Sequence, residues 1–374
     1  MKFNFIYIFL FLLSNKITNS FIKQKIKKIS PNLIKHNLLV STKLNSQSLN
    51  KDNNHNNQNN YNNYNNYNNH NNDNNKINKI DGFLSIIRYK NILPTLYLLL
   101  TGSWIVNPNF NNLCNLLNSK TLLFSSINTI LILMSNMIIN DILDINIDKI
   151  NNPTRPLITG DIKLNEAYFL LIFFLAITEF INIYFLPINL QYIIHLSLLY
   201  TFIYTPILKK IPLIKNLSCA TIVSSSIYVG GLATITNMNI NTNLNTNINI
   251  NLLYQSILLV FLGSLYNEIL LDISDYDGDK KNNIFTIATI FGKNISLLIS
   301  KKILEFNIFI NTLLIYNFGY INYSLLFIIT SLPILYDFYK IKINNYQKDD
   351  IRNTFTTSSN QMVFMLLIIC LISK

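Results

Sequence analysis

Residues 121–160 read TLLFSSINTILILMSNMIINDILDINIDKINNPTRPLITG. The stretch opens as an uncharged apolar run and closes on acids, amides, two prolines and an arginine. At about 1.5 Å of rise per residue, twenty such residues cross the hydrocarbon core of a bilayer. The pattern recurs. From Asp81 onward, apolar segments of spanning length fall near 83–105, 121–147, 165–186, 189–208, 217–236, 252–275, 295–317, 321–341 and 357–373. The expected fold is therefore all-α, a multi-pass transmembrane bundle of about nine helices, with Pro94 and Pro333 predicting kinks.

Composition agrees. Of 374 residues, 50% are hydrophobic and only 13% charged, too little charge to cover the surface of a soluble domain. The net charge of +12 does not point to nucleic acid, because the basic residues lie in short groups between apolar runs, where loops beside a membrane carry them. Those groups alternate as the positive-inside rule requires. Lys76, Lys79, Arg88 and Lys90 precede the first segment; Lys149, Arg155 and Lys163 follow the second; Lys209, Lys210 and Lys215 the fourth; Lys280, Lys281 and Lys293 the sixth; Lys340, Lys342, Lys348 and Arg352 the eighth. Lys301 and Lys302 break the pattern inside the seventh segment, where they must snorkel or shift its start.

Cys114, Cys219 and Cys370 lack CxxC spacing, so neither a disulfide framework nor a zinc site is indicated. His195, inside an apolar run, reads as a satisfied intramembrane hydrogen-bonding group.

The N-terminal part differs. Residues 5–13 are apolar but too short for a comfortable span, and the segment to Lys51 carries seven lysines from Lys16 to Lys43 with no acid between. Residues 1–51 are expected to be a signal- or transit-like leader, directing the chain to an organelle membrane, plastid-like in preference to the mitochondrial inner membrane. Residues 52–80, dominated by Asn, read as a polar spacer without enough apolar surface to fold, leaving 81–374 as the membrane domain.

The chemistry lies at two helix ends. Asn140, Asp144 and Asp148 recur every fourth residue, about 40° apart on a helix, a single stripe of oxygen donors. In NEILLDISDYDGDKK, residues 267–281, Asp272, Asp275 and Asp279 fall within about 60° of one another. Crowded, partly desolvated carboxylates repel unless a cation neutralises them, and an oxygen-only donor set without His or Cys favours Mg²⁺. Magnesium completes its shell with water and phosphate oxygens, so the substrate is expected to carry phosphate. Arg155, and Lys209, Lys210 or Lys215 in YTPILKKIPLIK, are the basic candidates to hold it. A transporter using intramembrane carboxylates is the competing class, but it predicts acids near mid-helix and paired half-helices.

At these residues the chain resembles the UbiA-type intramembrane prenyltransferases, which carry NDxxDxxxD after the second helix and DxxDxxGD or DxxxD after the sixth. The resemblance covers about residues 83–373. It implies a helical bundle around a central cavity, with prenyl diphosphate bridged to the aspartates by Mg²⁺ and a small aromatic or lipid acceptor. Asn140, Asp144 and Asp148 would hold one metal and Asp272, Asp275 and Asp279 the other. Asp144, Asp148, Asp275 and Asp279 would be catalytic, with Arg155, Lys209 and Lys215 on the diphosphate. Asp141 matches the ND pair, and Glu268 receives no role. The short step from Asp148 to Arg155 and the Gly278–Asp279 pair resemble the branch of homogentisate prenyltransferases, chlorophyll synthases and digeranylgeranylglyceryl phosphate synthases. A prenylquinone or tocopherol-like pathway is the expected setting, with 4-hydroxybenzoate polyprenyl transfer the alternative.

Overall fold

The computed structural model describes residues 79–108, 119–241, 249–281 and 284–373, so the leader, most of the spacer and Cys114 lie outside the described residues. The long helices are α1 (Ile92–Val106), α2 (Lys120–Leu143), α3 (Leu164–Phe185), α4 (Ile188–Tyr204), α5 (Ile214–Asn241), α6 (Ile250–Ser274), α7 (Ile287–Asn317), α8 (Ile321–Ile343) and α9 (Lys348–Ile372). Each expected apolar segment falls on one of them. Six, namely α2, α3, α5, α6, α8 and α9, are long and apolar enough to cross a membrane by length and composition. The expectation of nine crossings is not established for the other three. Helix α1 has 15 residues, α4 has 17, and α7 carries Lys301, Lys302 and Glu305 within its apolar half. There Lys301 and Lys302 both pair with Glu305, at 3.7 and 2.7 Å, which keeps their charge on one helix face without moving the helix start.

Where the helices break departs from the expectation built on proline. The first segment is a helix over 79–86, a turn, and then α1, and the break lies at Arg88, whose φ of 48° is left-handed. Pro94 sits in the first turn of α1, where a missing N–H costs nothing. Helix α2 stops at Asp144 and a short helix, Ile145–Asn151, follows at once. Helix α6 stops at Asp275, followed by Tyr276–Lys281.

Helix α6 is central: 67% of its most apolar stretch is buried, against 22% for α3, whose Phe169, Ile172 and Tyr184 face outward as lipid-facing side chains do. Helix α5 packs against α1, α2 and α6. Its approach to α1 depends on two glycines. A Cβ on Gly102 would come within 2.0 Å of the Ile227 carbonyl oxygen, and one on Gly230 within 2.0 Å of that of Leu99. Beside them Thr234 donates to Ser103 at 2.7 Å, the small-residue and hydroxyl packing that membrane helices use where water supplies no hydrophobic drive between them.

Candidate functional site

The two acid-bearing segments share a local construction. In each, a long helix ends on an acid in a bridge-region conformation, Asp144 at φ −93°, ψ 6° and Asp275 at φ −93°, ψ 2°. In each, the i to i+4 hydrogen bond still runs through the break, from Asp148 N to Asp144 O at 2.8 Å and from Asp279 N to Asp275 O at 2.9 Å. The helix is interrupted without losing its register, so the acids keep one face across the break.

Around the first segment the cations converge. Lys209 donates to Asn140 Oδ1 at 2.8 Å and forms a short ion pair with Asp144. Arg155 Nη1 lies 2.8 Å from Asp141 Oδ1, and its Nε lies 3.9 Å from Asp148 Oδ2. Asn152 donates to the other Asp148 oxygen at 3.1 Å. At the second segment Lys215 meets Asp272 Oδ1 at 2.5 Å and Asn216 donates to Asp272 Oδ2 at 2.9 Å. Asp272 is 1% exposed, Asp279 is buried and Asp275 reaches the surface.

The connection between α4 and α5 ties the two together. Its Leu208–Lys210 turn delivers Lys209 to the end of α2, and the start of α5 delivers Lys215 and Asn216 to the end of α6. Lys209 also acts electrostatically on Asp279, so both segments border one space. Burial pushes the Asp279 carboxyl up to about 6; neighbouring Asp275 and Asp272 add to the rise, while Lys215 and Lys209 oppose it. Lys210, the third lysine considered, has no ion pair among the described residues.

Two partners escaped the reading from sequence. Arg88 Nη2 reaches Asp141 Oδ1 at 3.1 Å from 53 residues away, and Asn216 completes the shell of Asp272. Arg88 had counted only as one of several basic residues before the first helix; Asn216, next to Lys215, carried no signal of its own. Glu268, one turn before Asp272, lies near Cys219, whose sulfur lies 2.9 Å from the Tyr204 hydroxyl. His195 behaves as expected, its Nε2 lying 2.7 Å from Glu179 and 3.2 Å from Asn182.

Among the described residues no three acids, histidines or cysteines converge as a ready-made metal cage. The donor set nevertheless fits a hard divalent cation. All the side chains are oxygen donors, two stripes border one space, and a lysine ammonium lies against each stripe. A phosphate entering the site offers those ammoniums a better partner and frees the carboxylates.

Comparison with known proteins agrees with this chemistry. The sequence model of the UbiA prenyltransferase family matches residues 95–360. The digeranylgeranylglyceryl phosphate synthase of Saccharolobus solfataricus is 31% identical over 255 residues, 67% of this chain and 83% of that protein. The synthase of the same name from Methanocaldococcus jannaschii is 30% identical over 219 residues, 56% and 68% of the two chains. A solved structure concerned with digeranylgeranylglyceryl phosphate synthase in membranes superposes at a TM-score of 0.59 with 25% identity, covering 79% of this chain and 98% of that one. A UbiA homologue from Archaeoglobus fulgidus, solved with DMAPP and Mg²⁺, shares the fold at a TM-score of 0.55 and 16% identity, over 78% and 99%. With the family model spanning most of the membrane helices, this chain belongs to the UbiA prenyltransferase family and is an integral membrane prenyltransferase.

Proposed function

We propose that the chain transfers a prenyl group, in a Mg²⁺-dependent reaction within the membrane, from a prenyl diphosphate to a phosphate-bearing glycerol lipid. The observation that carries the reading is the pair of interrupted, acid-bearing helix ends bordering one space, with Arg155, Lys209 and Lys215 among them. The acceptor class rests on the relatives, named as digeranylgeranylglyceryl phosphate synthases, one of the three activities in the branch the sequence resembles. The prenylquinone or tocopherol acceptor expected from sequence finds no counterpart among these names.

Asn140, Asp144 and Asp148 would hold one metal ion and Asp272, Asp275 and Asp279 a second; the metal supplies Lewis-acid neutralisation of the diphosphate charge. Arg155, Lys209 and Lys215 hold the phosphate oxygens and stabilise the charge that builds on the leaving group as the allylic C–O bond ionises. The apolar interior excludes water, which would otherwise capture the prenyl cation before the acceptor hydroxyl does. Within this reading residues 81–374 form the catalytic domain, and the basic, acid-free leader supports delivery to an organelle membrane.

The test is incubation of the purified full chain with Mg²⁺, geranylgeranyl diphosphate and two acceptors in parallel, geranylgeranylglyceryl phosphate and an aromatic acid such as homogentisate. The proposal expects the phosphate-bearing lipid product by mass spectrometry. Prenylation of the aromatic acceptor alone would overturn the acceptor class, and no consumption of the diphosphate with either would overturn the reaction.

A further inference from the structure

We propose that the quarter of the bundle formed by α6, α7, α8 and α9 binds one ordered water deep in the membrane, on the Gln361 amide, and that this water completes the hydrogen bonding of α9 against α6 and α7. Gln361 lies near the midpoint of α9, roughly 20 Å from one helix end and 17 Å from the other at 1.5 Å per residue. It is 7% exposed, and neither its Nε2 nor its Oε1 has a hydrogen-bond partner among the described residues. Interchanging the two amide atoms relieves nothing, because both are unpartnered. An amide left in that state at this depth is costly, since neither hydrocarbon nor apolar side chains can replace the hydrogen bonds it made to water.

Gln361 lines a largely enclosed cavity of about 10 Å³, whose other polar walls are Asn307 and Tyr266; Leu304, Phe327 and Met362 are among its apolar ones. Room of that size admits one water molecule and no carbon chain. Asn307 donates from Nδ2 to the Leu259 carbonyl oxygen at 3.1 Å, and its Oδ1 accepts from Asn311 at 2.8 Å, which leaves one N–H and one lone pair over. The Tyr266 hydroxyl meets Ser358 Oγ at 2.6 Å and keeps capacity for one more bond. A water in the cavity therefore has three polar side chains to bond, the number by which buried waters are typically held. All three are neutral, so an ion in the same place would be buried without a counter-charge, and its desolvation excludes it. Ser358, about one turn before Gln361, shows the same face of α9 satisfied without water: it accepts from Asn267 at 2.8 Å as well as meeting Tyr266. Helix α9 is thus tied to α6 directly at Ser358 and, through the water, to α6 and α7 at Gln361. The cavity wall also carries a side chain able to displace that water. A Cβ on Gly263 would lie 2.3 Å from Met362 Cε, and the flexible Met362 side chain has the cavity beside it to move into.

The test uses the full chain in lipid, with water itself as the probe. A structure of the unaltered chain at a resolution that shows ordered waters is expected to place one within hydrogen-bond distance of the Gln361 amide and of Asn307 or Tyr266. An ordered Gln361 with no such density beside it, its amide turned onto a protein group, or an ion or acyl chain in the cavity would each overturn the proposal. Thermal unfolding gives an independent reading. Gly263→Ala drives Met362 toward the water and is expected to lower the unfolding temperature by a few degrees. In a Gln361→Met background, where no amide needs hydrating, the same change is expected to cost distinctly less, because the two sites share one cavity. An equal or larger fall in that background would mean that the cavity is dry, and the proposal would fail. Should Gly263→Ala not fold, the density in the unaltered chain decides.

Discussion

The end of α2 and the end of α6 are built alike and charged differently. Both break at an acid and keep the next acid one turn on. At the first, each acid has a cation: Asp141 has Arg88 and Arg155, Asp144 has Lys209, and Asp148 has Arg155. At the second, Asp272 is the one ion-paired acid of the stripe among the described residues, with Lys215, while Asp275 and Asp279 have no ion pair within 4 Å; Asp277, off the stripe, pairs with Lys293. The same backbone device thus yields one end whose acids each have a direct cationic partner and one that leaves Asp275 and Asp279 without one among the described residues. The second end is therefore where an incoming cation gains most, and where a proton competes with it.

The largest effect expected is on turnover. Asp144→Ala and Asp275→Ala should each lower kcat on the order of a thousandfold, with membrane insertion unchanged, if both ends act on the leaving diphosphate. Normal turnover in either variant would remove that end from the chemistry and break the likeness between them.

The lysines sharpen the contrast in stability. Lys215→Ala strands Asp272, 1% exposed, at the heart of the bundle, and a buried carboxylate deprived of its partner costs about 3 kcal/mol. Lys209→Ala leaves Asp144 less buried, its side chain 10% exposed against 1%, so a smaller loss is expected. Thermal unfolding in detergent should show Lys215→Ala falling further, while both raise the KM for prenyl diphosphate. Equal unfolding temperatures would mean that Asn216 suffices for Asp272.

The proton competition is a smaller and separable effect. The Asp279 carboxyl, pushed up to about 6, is ionised at pH 7 and takes a proton as the pH falls through 6, and only the ionised form binds a metal. The Mg²⁺ concentration giving half-maximal activity should therefore rise as pH falls below 6, by about tenfold at pH 5 for one competing proton. Asp279→Asn should need more Mg²⁺ at every pH and lose that dependence. A Mg²⁺ requirement that is flat between pH 7 and 5 in the unaltered chain would assign the ligands of the second end elsewhere.

How much of this was legible in the sequence follows from range. The apolar runs that became α2, α3, α5, α6 and α8 announced themselves because the bilayer demands uninterrupted hydrophobic length, a one-dimensional constraint. The acid stripes were equally visible, since four-residue spacing is local to one helix. Arg88 was not, because the same basic residues satisfy the positive-inside pattern whether or not they reach an acid, and its contact depends on a left-handed turn 53 residues from Asp141. The breaks were misplaced for a related reason. Proline is the visible helix breaker, yet Pro94 is harmless in a first turn and the breaks that matter fall at Asp144 and Asp275.

The smallest expected effect tests whether position on the stripe, and not acidity, defines the second end. Asp277 lies between Asp275 and Asp279 in sequence but, two residues from each, sits on the opposite side of the short helix Tyr276–Lys281. Its side chain is 66% exposed and pairs with Lys293 at 3.5 Å, and that lysine also lies 4.9 Å above the Tyr276 ring. An exposed pair of this kind contributes at most about 1 kcal/mol. Asp277→Asn should therefore leave kcat, the Mg²⁺ requirement and its pH dependence as they are, with only a slight fall in unfolding temperature. A variant that instead shared the Mg²⁺ defect of Asp279→Asn would show that the short helix rotates in the working enzyme, and the face presented by the second end would have to be drawn through Asp277.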